Sequence, residues 1–176
     1  YAGVTEYLAQ YDGSTAWVVF IGITSALSVC ALPEETAKHL MLSDREAITA
    51  GVFAPMGRAV ACEQDGVKGY RLTGQWQWGS GSRNATYISG GGFVTDEAGD
   101  ILKLPDGTPN QRSFFMRTKD VELLDTWHVS GLKGTGSTDF RVRDLFVPEE
   151  MTFGALRKDI PDHPIHVFPI FAFLGV

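Results

Sequence analysis

Hydrophobic and polar positions follow two different periods along this chain. From Ser14 to Leu32 (STAWVVFIGITSALSVCAL) they form the most apolar window of the sequence. Pro33 to Ala47 (PEETAKHLMLSDREA) then places Ala37, Leu40 and Met41 at i, i+3 and i+4, the spacing of one helix face. The first window predicts a buried helix with Ser14 or Thr15 as its N-cap and Pro33 closing it. A membrane span is a poorer fit, because Ala16 to Leu32 would reach only about 26 Å at 1.5 Å per residue, short of a hydrocarbon core of about 30 Å. The window also carries Thr24, Ser25 and Ser28 and has no basic flank at its start. In the second helix Pro33 suits the first turn, and Glu34 and Glu35 favour the positive end of the helix dipole. Residues 1–49 are therefore expected to be helical, as part of an N-terminal helical domain.

From about Ala50 the period shortens to two. Tyr70, Leu72, Trp76 and Trp78 share one parity, while Arg71, Thr73, Gln75 and Gln77 take the other, which predicts a strand with one buried face. Thr86 to Thr95, Ser113 to Thr118, Val121 to Trp127 and Phe140 to Val147 are further candidate strands, with turns at DGVKG (Asp65 to Gly69) and PDGTPN (Pro105 to Asn110). Short strands joined by glycine-bearing turns, with no helix-length pattern between them, predict an antiparallel sandwich or barrel over residues 50–150. The fold class expected is α+β: helices first, then an antiparallel β-barrel or sandwich. Pro148 is expected to close the last strand. Residues 151–176, rich in proline and ending on the apolar VFPIFAFLGV, read as a linker into a further helical domain. That ending, and a start at Tyr1, suggest a segment of a longer polypeptide.

The composition narrows the function classes. With 176 residues, 44% of them hydrophobic, the chain can bury one sizeable core. A net charge of −6 and no basic run longer than two residues leave nothing to neutralise nucleic-acid phosphates. Cys30 and Cys62 are far apart and outside any CxxC pattern, as expected of reduced thiols in a cytoplasmic protein.

Most catalytic templates are missing: there is no GxxxxGK[ST], no GxSxG and no HExxH. GLKGTGS (Gly131 to Ser137) has the order GxxGxG and precedes a strand, so it more simply shapes a tight start to that strand than binds a dinucleotide. His163 and His166 lack a third ligand, so no metal site is expected. Ser130 and Lys133 form an isolated SxxK, Asn84-Ala85-Thr86 is a sequon in form only, and Arg83 and His128 read as a solvated turn arginine and a structural histidine. GQWQWGSGS (Gly74 to Ser82) stands apart. Trp78 followed by Gly79, Ser80 and Gly81 offers a ring to stack on, accessible backbone N–H groups and a hydroxyl, which suits a flat redox ring such as a flavin. It equally suits a tryptophan-rich strand packed in a barrel core and ending at a glycine turn.

DGSTAWVVFI, AGVFAPMGRAV, GYRLTGQWQWGSGSRNATY and WHVSGLKGTGSTDFRVRDLFVPEE, in this order across residues 12 to 150, resemble the N-terminal and middle parts of the acyl-CoA dehydrogenase superfamily. The resemblance implies a flavin, FAD or FMN, lying against the middle β-domain. The family's Trp-x-Thr/Ser element falls on Trp78, Gly79 and Ser80, with the tryptophan against the ring and the Ser80 hydroxyl near N5, the one catalytic assignment. Its other flavin segment falls on Val52 to Ala59 and so implicates Phe53, Ala54, Pro55 and Gly57, although FAPMGRA lacks the Thr-Glu pair of the dehydrogenases.

That departure brings the chain closer to the two-component flavin-dependent monooxygenases of the superfamily. By this likeness a separate reductase supplies reduced flavin, O₂ forms a C4a-(hydro)peroxyflavin, and an aromatic or heteroatom-containing small molecule is hydroxylated. An acyl-CoA dehydrogenase, whose base would lie outside this chain, is the alternative; a non-catalytic β-domain that binds a partner is the second. The family also implies a homotetramer.

Overall fold

The structure, a computed structural model, describes residues 1–154. Three helices come first: α1 (Ala2–Ala9), α2 (Gly13–Val29) and α3 (Glu34–Ser43). The cap of α2 is Asp12, two or three residues earlier than the expected Ser14 or Thr15. Its carboxylate accepts the backbone N–H groups of Ser14 and Thr15, two donors the helix start leaves unpaired. The Thr15 hydroxyl and N–H hold the Asp12 carboxyl below the usual carboxylate range. No described helix is long and apolar enough to cross a membrane.

Seven strands follow: β1 (Thr49–Gln64), β2 (Val67–Gly79), β3 (Tyr87–Thr95), β4 (Gln111–Arg117), β5 (Glu122–Leu124), β6 (Thr138–Pro148) and β7 (Thr152–Gly154). They form one sheet in the order β5-β6-β2-β1-β3-β4-β7. The α+β class is as expected, but the antiparallel barrel is corrected in two respects. β1 pairs with β3 in parallel, which makes the sheet mixed. The sheet is also open, because β5 and β7, each three residues long, end opposite edges and exchange no hydrogen bonds. Pro148 closes β6 but not the sheet, since β7 pairs with β4 just beyond it.

The open sheet is strongly curled. Tyr70 on β2 meets Phe114 on β4 edge-on, 5.6 Å between ring centres, although two strands lie between them in the sheet. Inside the curl sits the larger core, built on Leu72, Trp76, Ile88, Phe114 and Phe140. On β4 the side chains alternate, so Phe115 points the other way and packs with Val29, Leu32, Leu40 and Tyr87 between sheet and helices. α2 thereby lies along the outside of the sheet, close to the end of β2.

Candidate functional site

The C-terminal end of β2 departs from strand periodicity at one residue. Leu72 and Trp76 are fully buried, as their parity predicts, but Trp78 is 70% exposed. The cause is a bulge against β6: Trp76 pairs with Phe140 and Gly79 with Thr138, so three steps on β2 answer two on β6. Trp78 absorbs the extra residue with φ at 62°, in the left-handed region where a side chain other than glycine's is strained. Common parity with Trp76 is thus corrected: the bulge turns one indole outward and leaves the other inside. Among the described residues no aromatic ring stacks on Trp78.

Trp76 is the counterpart, lying flat across the sheet. It stacks on Phe140 at 5.0 Å and 17°, and its Nε1 donates to the Gly91 carbonyl at 2.7 Å. Such a crossing needs strands without side chains beneath it. A Cβ at Gly57, Gly74 or Gly90 would meet the Trp76 ring at 2.8, 2.7 and 2.5 Å. The hydrogen-bonded ladder between β1 and β2 ends at Arg58 and Thr73, beyond which β1 keeps β3 and β2 keeps β6. Trp76 bridges the gap that opens there.

On the β1 side of that gap lies the second expected segment, Phe53 to Gly57. Between Val52 and Pro55 β1 advances three residues while β3 advances one, and between Pro55 and Gly57 two against one. The chain therefore bulges away from the sheet, and Pro55, which has no N–H to contribute to a ladder, sits within the bulge. Gly91 permits this, because a Cβ there would collide with the Phe53 carbonyl. Ala54 is exposed, Phe53 and Pro55 are half-buried, and Gly57 is buried under Trp76.

Ser80 is buried, and its hydroxyl belongs to a chain of hydrogen bonds. Trp17 of α2 donates from Nε1 to Ser80 Oγ at 3.0 Å. Ser80 Oγ lies 2.7 Å from Ser137 Oγ, which lies 2.6 Å from Thr135 Oγ1, and Thr135 donates to the Leu132 carbonyl at 2.9 Å. The loop that carries Thr135 and Ser137 is held to the same strand end by Gly81 N–H, which donates to the Thr135 carbonyl at 3.0 Å. A hydroxyl has one proton and two acceptor sites, so with Trp17 donating to it and Ser137 bonded in either direction, the Ser80 hydroxyl retains one further hydrogen-bonding site.

The structure therefore brings Trp78, Gly79 and Ser80 together on one bulged strand end, with Phe53, Ala54 and Pro55 on a second bulge of the neighbouring strand. Arg83 is engaged elsewhere, paired with Asp125 at 3.1 Å on the surface, and the exposed His128 ring bonds the Asp125 carbonyl. His163 and His166 lie outside the described residues. Sequence reasoning missed Trp17, Thr135 and Ser137 as neighbours of Ser80. No local signal marks them, since 63, 55 and 57 positions of chain separate them from it.

No family model matches the chain. It is 36% identical over 173 residues to a pigment production hydroxylase of Rhodococcus sp. (strain ATCC 21145), an alignment covering 97% of this chain and 42% of that protein. The oxygenase subunit HsaA of a flavin-dependent monooxygenase from Mycobacterium tuberculosis (strain CDC 1551 / Oshkosh) is 33% identical over 82% of this chain and 34% of its own length. This chain is a homologue of flavin-dependent monooxygenases. Among solved structures, XiaF from Streptomyces sp., in complex with FADH2 and glycerol, superposes with a TM-score of 0.74 at 32% identity, covering 87% of this chain and 36% of XiaF. The resemblance to the monooxygenase branch of the acyl-CoA dehydrogenase superfamily is thereby supported by both sequence and fold. The chain spans about a third to two fifths of the length of these relatives.

Proposed function

We propose that the chain is the flavin-contacting part of a reduced-flavin-dependent monooxygenase that hydroxylates an aromatic or heterocyclic small molecule. The observation that carries this reading is the bulged end of β2, where strained backbone at Trp78 presents an exposed indole beside a hydroxyl with a hydrogen-bonding site to spare. A left-handed tryptophan costs about 1 kcal/mol or more, and strain of this kind concentrates where a ligand is held. Hydroxylases and a monooxygenase subunit among the relatives point to the same chemistry.

The residues fit a flavin in kind. Trp78 would supply a flat apolar face, Gly79 and Gly81 keep the backbone either side of Ser80 clear of side chains, and the Ser80 oxygen would accept from the N–H at N5. Phe53, Ala54 and Pro55, on the bulge of β1, would border the ring with backbone groups, and Gly57 would shape the floor by admitting Trp76. When bound, reduced flavin supplies activation of O₂. This chain's part would be to orient the ring through Trp78 and Ser80 and to keep water from its N5 edge with the buried Ser80–Ser137 contact and the half-buried bond from Trp17. A separate flavin reductase and a homotetrameric assembly belong to the same reading.

Anaerobic titration with reduced FAD and FMN, followed by mixing with O₂ and candidate phenolic or indolic substrates, tests the proposal. Flavin binding that is lost on replacing Trp78, with hydroxylated product dependent on reduced flavin and O₂, supports it. Oxidation of an acyl thioester without incorporation of oxygen would return the dehydrogenase reading.

A further inference from the structure

We infer that Thr135 and Ser137 are positioning residues that hold the Ser80 hydroxyl as an acceptor toward the flavin. The site then prefers the ring that carries hydrogen at N5, its reduced form, over the oxidised ring. The inference rests on the flavin reading proposed above.

The hydroxyl chain starts and ends on groups with fixed roles. The Trp17 indole can only donate, and the Leu132 carbonyl can only accept. Each of the three hydroxyls between them has one proton. All four bonds form together in only one arrangement: Thr135 gives its proton to Leu132, Ser137 to Thr135, and Ser80 to Ser137. The remaining site on the Ser80 oxygen is a lone pair, because Trp17 occupies the other. That lone pair matches a nitrogen bearing hydrogen and repels one bearing a lone pair of its own.

For Ser80 to donate outward, the chain must run backwards. Ser137 then donates to Ser80 and Thr135 to Ser137, and the bond from Thr135 to Leu132 is lost. The Leu132 carbonyl keeps the Trp127 indole and Thr135 backbone N–H groups, but Thr135 is 2% exposed, so water has little access to the lone pairs that reversal leaves bare on its oxygen. One net intramolecular hydrogen bond corresponds to a factor of about three to ten in affinity. N5 of the oxidised ring accepts a hydrogen bond and N5 of the reduced ring donates one, so the chain's polarity selects between the two redox states of one molecule.

The test is the ratio of dissociation constants for oxidised and reduced flavin, measured anaerobically with FAD and with FMN on the full chain. The unmodified protein is expected to bind the reduced form more tightly. Thr135→Val, which keeps the side-chain shape but removes the acceptor for Ser137, frees the chain to reverse and is expected to lower the ratio about three- to tenfold. Ser137→Ala, which frees the Ser80 proton directly, should lower it in the same direction, while Thr135→Ser should leave it unchanged. The midpoint potential of bound flavin should fall in parallel, by about 30 mV for each tenfold. A ratio unchanged in both Thr135→Val and Ser137→Ala, with flavin still bound, overturns the positioning role and leaves the flavin site standing. An equal loss in Thr135→Ser also overturns it, because packing would then be the cause. Absence of binding in either redox state removes the flavin reading, and this inference with it.

Discussion

Replacing Trp78 by alanine and by glycine separates the cost of its backbone from the use of its ring. Both variants lose the same indole, which is 70% exposed and so contributes little buried area. Taking about 250 Å² for a tryptophan side chain, the covered third is worth at most about 2 kcal/mol at 25 cal/mol per Å². The two variants differ only in what they meet at φ 62°. In an ordinary strand, glycine is less stable than alanine by about 0.5–1 kcal/mol. Here alanine keeps left-handed strain of about 1–2 kcal/mol, and glycine does not. The order should therefore reverse, with Trp78→Gly more stable than Trp78→Ala by about 0.5–1 kcal/mol. Urea denaturation read at equal m-values measures the difference. Flavin affinity should fall at least about tenfold in both, since the stacking face is gone. Alanine equal to or more stable than glycine would refute the strain argument; flavin affinity unchanged in both would refute the role of the indole.

Two further outcomes follow from the same geometry. Gly90→Ala places a Cβ 2.5 Å from the buried Trp76 ring; displacing Trp76 from its bond to the Gly91 carbonyl should cost about 2–4 kcal/mol in chemical denaturation, against under about 0.5 kcal/mol for the control Gly3→Ala, where a Cβ meets open space. At the sheet edge, the Arg141 guanidinium grips both oxygens of Glu122 and holds its carboxyl below the usual range. A lowered folded-state value means this pair stabilises β5 above the unfolded carboxylate range and releases it as pH falls through the folded one. Hydrogen exchange at Leu123, corrected for intrinsic rates, should therefore keep its protection above about pH 5 and lose it at more acid pH, and Glu122→Gln should abolish that dependence; identical loss in Glu122→Gln would contradict it.

The helices and the buried face of β2 were legible because periodicity is local. Ala37 and Leu40 declare a helix face, and Leu72 and Trp76 a strand face, without reference to distant chain. The exposed position of Trp78 was not legible by parity, because the bulge that turns it out is set by register against β6, some sixty residues later. Parallel pairing of β1 with β3 has the same origin: the 16-residue strand meets β3 along Thr49 to Val60 and β2 along Arg58 to Gln64, and the turn between Gln64 and Val67 announces only the second. The candidate site itself was half legible. GQWQWGSGS marked the ring, the hydroxyl and the bare backbone, whereas the chain through Trp17, Ser137 and Thr135 exists only once α2 and the loop before β6 meet that strand end.

The central claim is that a flavin ring rests on the outward indole with its N5 edge at the Ser80 hydroxyl. A crystal structure of the full chain grown anaerobically with reduced FAD or FMN reads this directly. The account predicts ring density in van der Waals contact with Trp78 and N5 within hydrogen-bond distance of Ser80 Oγ. Ring density elsewhere on the molecule, with Trp78 still bare, would contradict it.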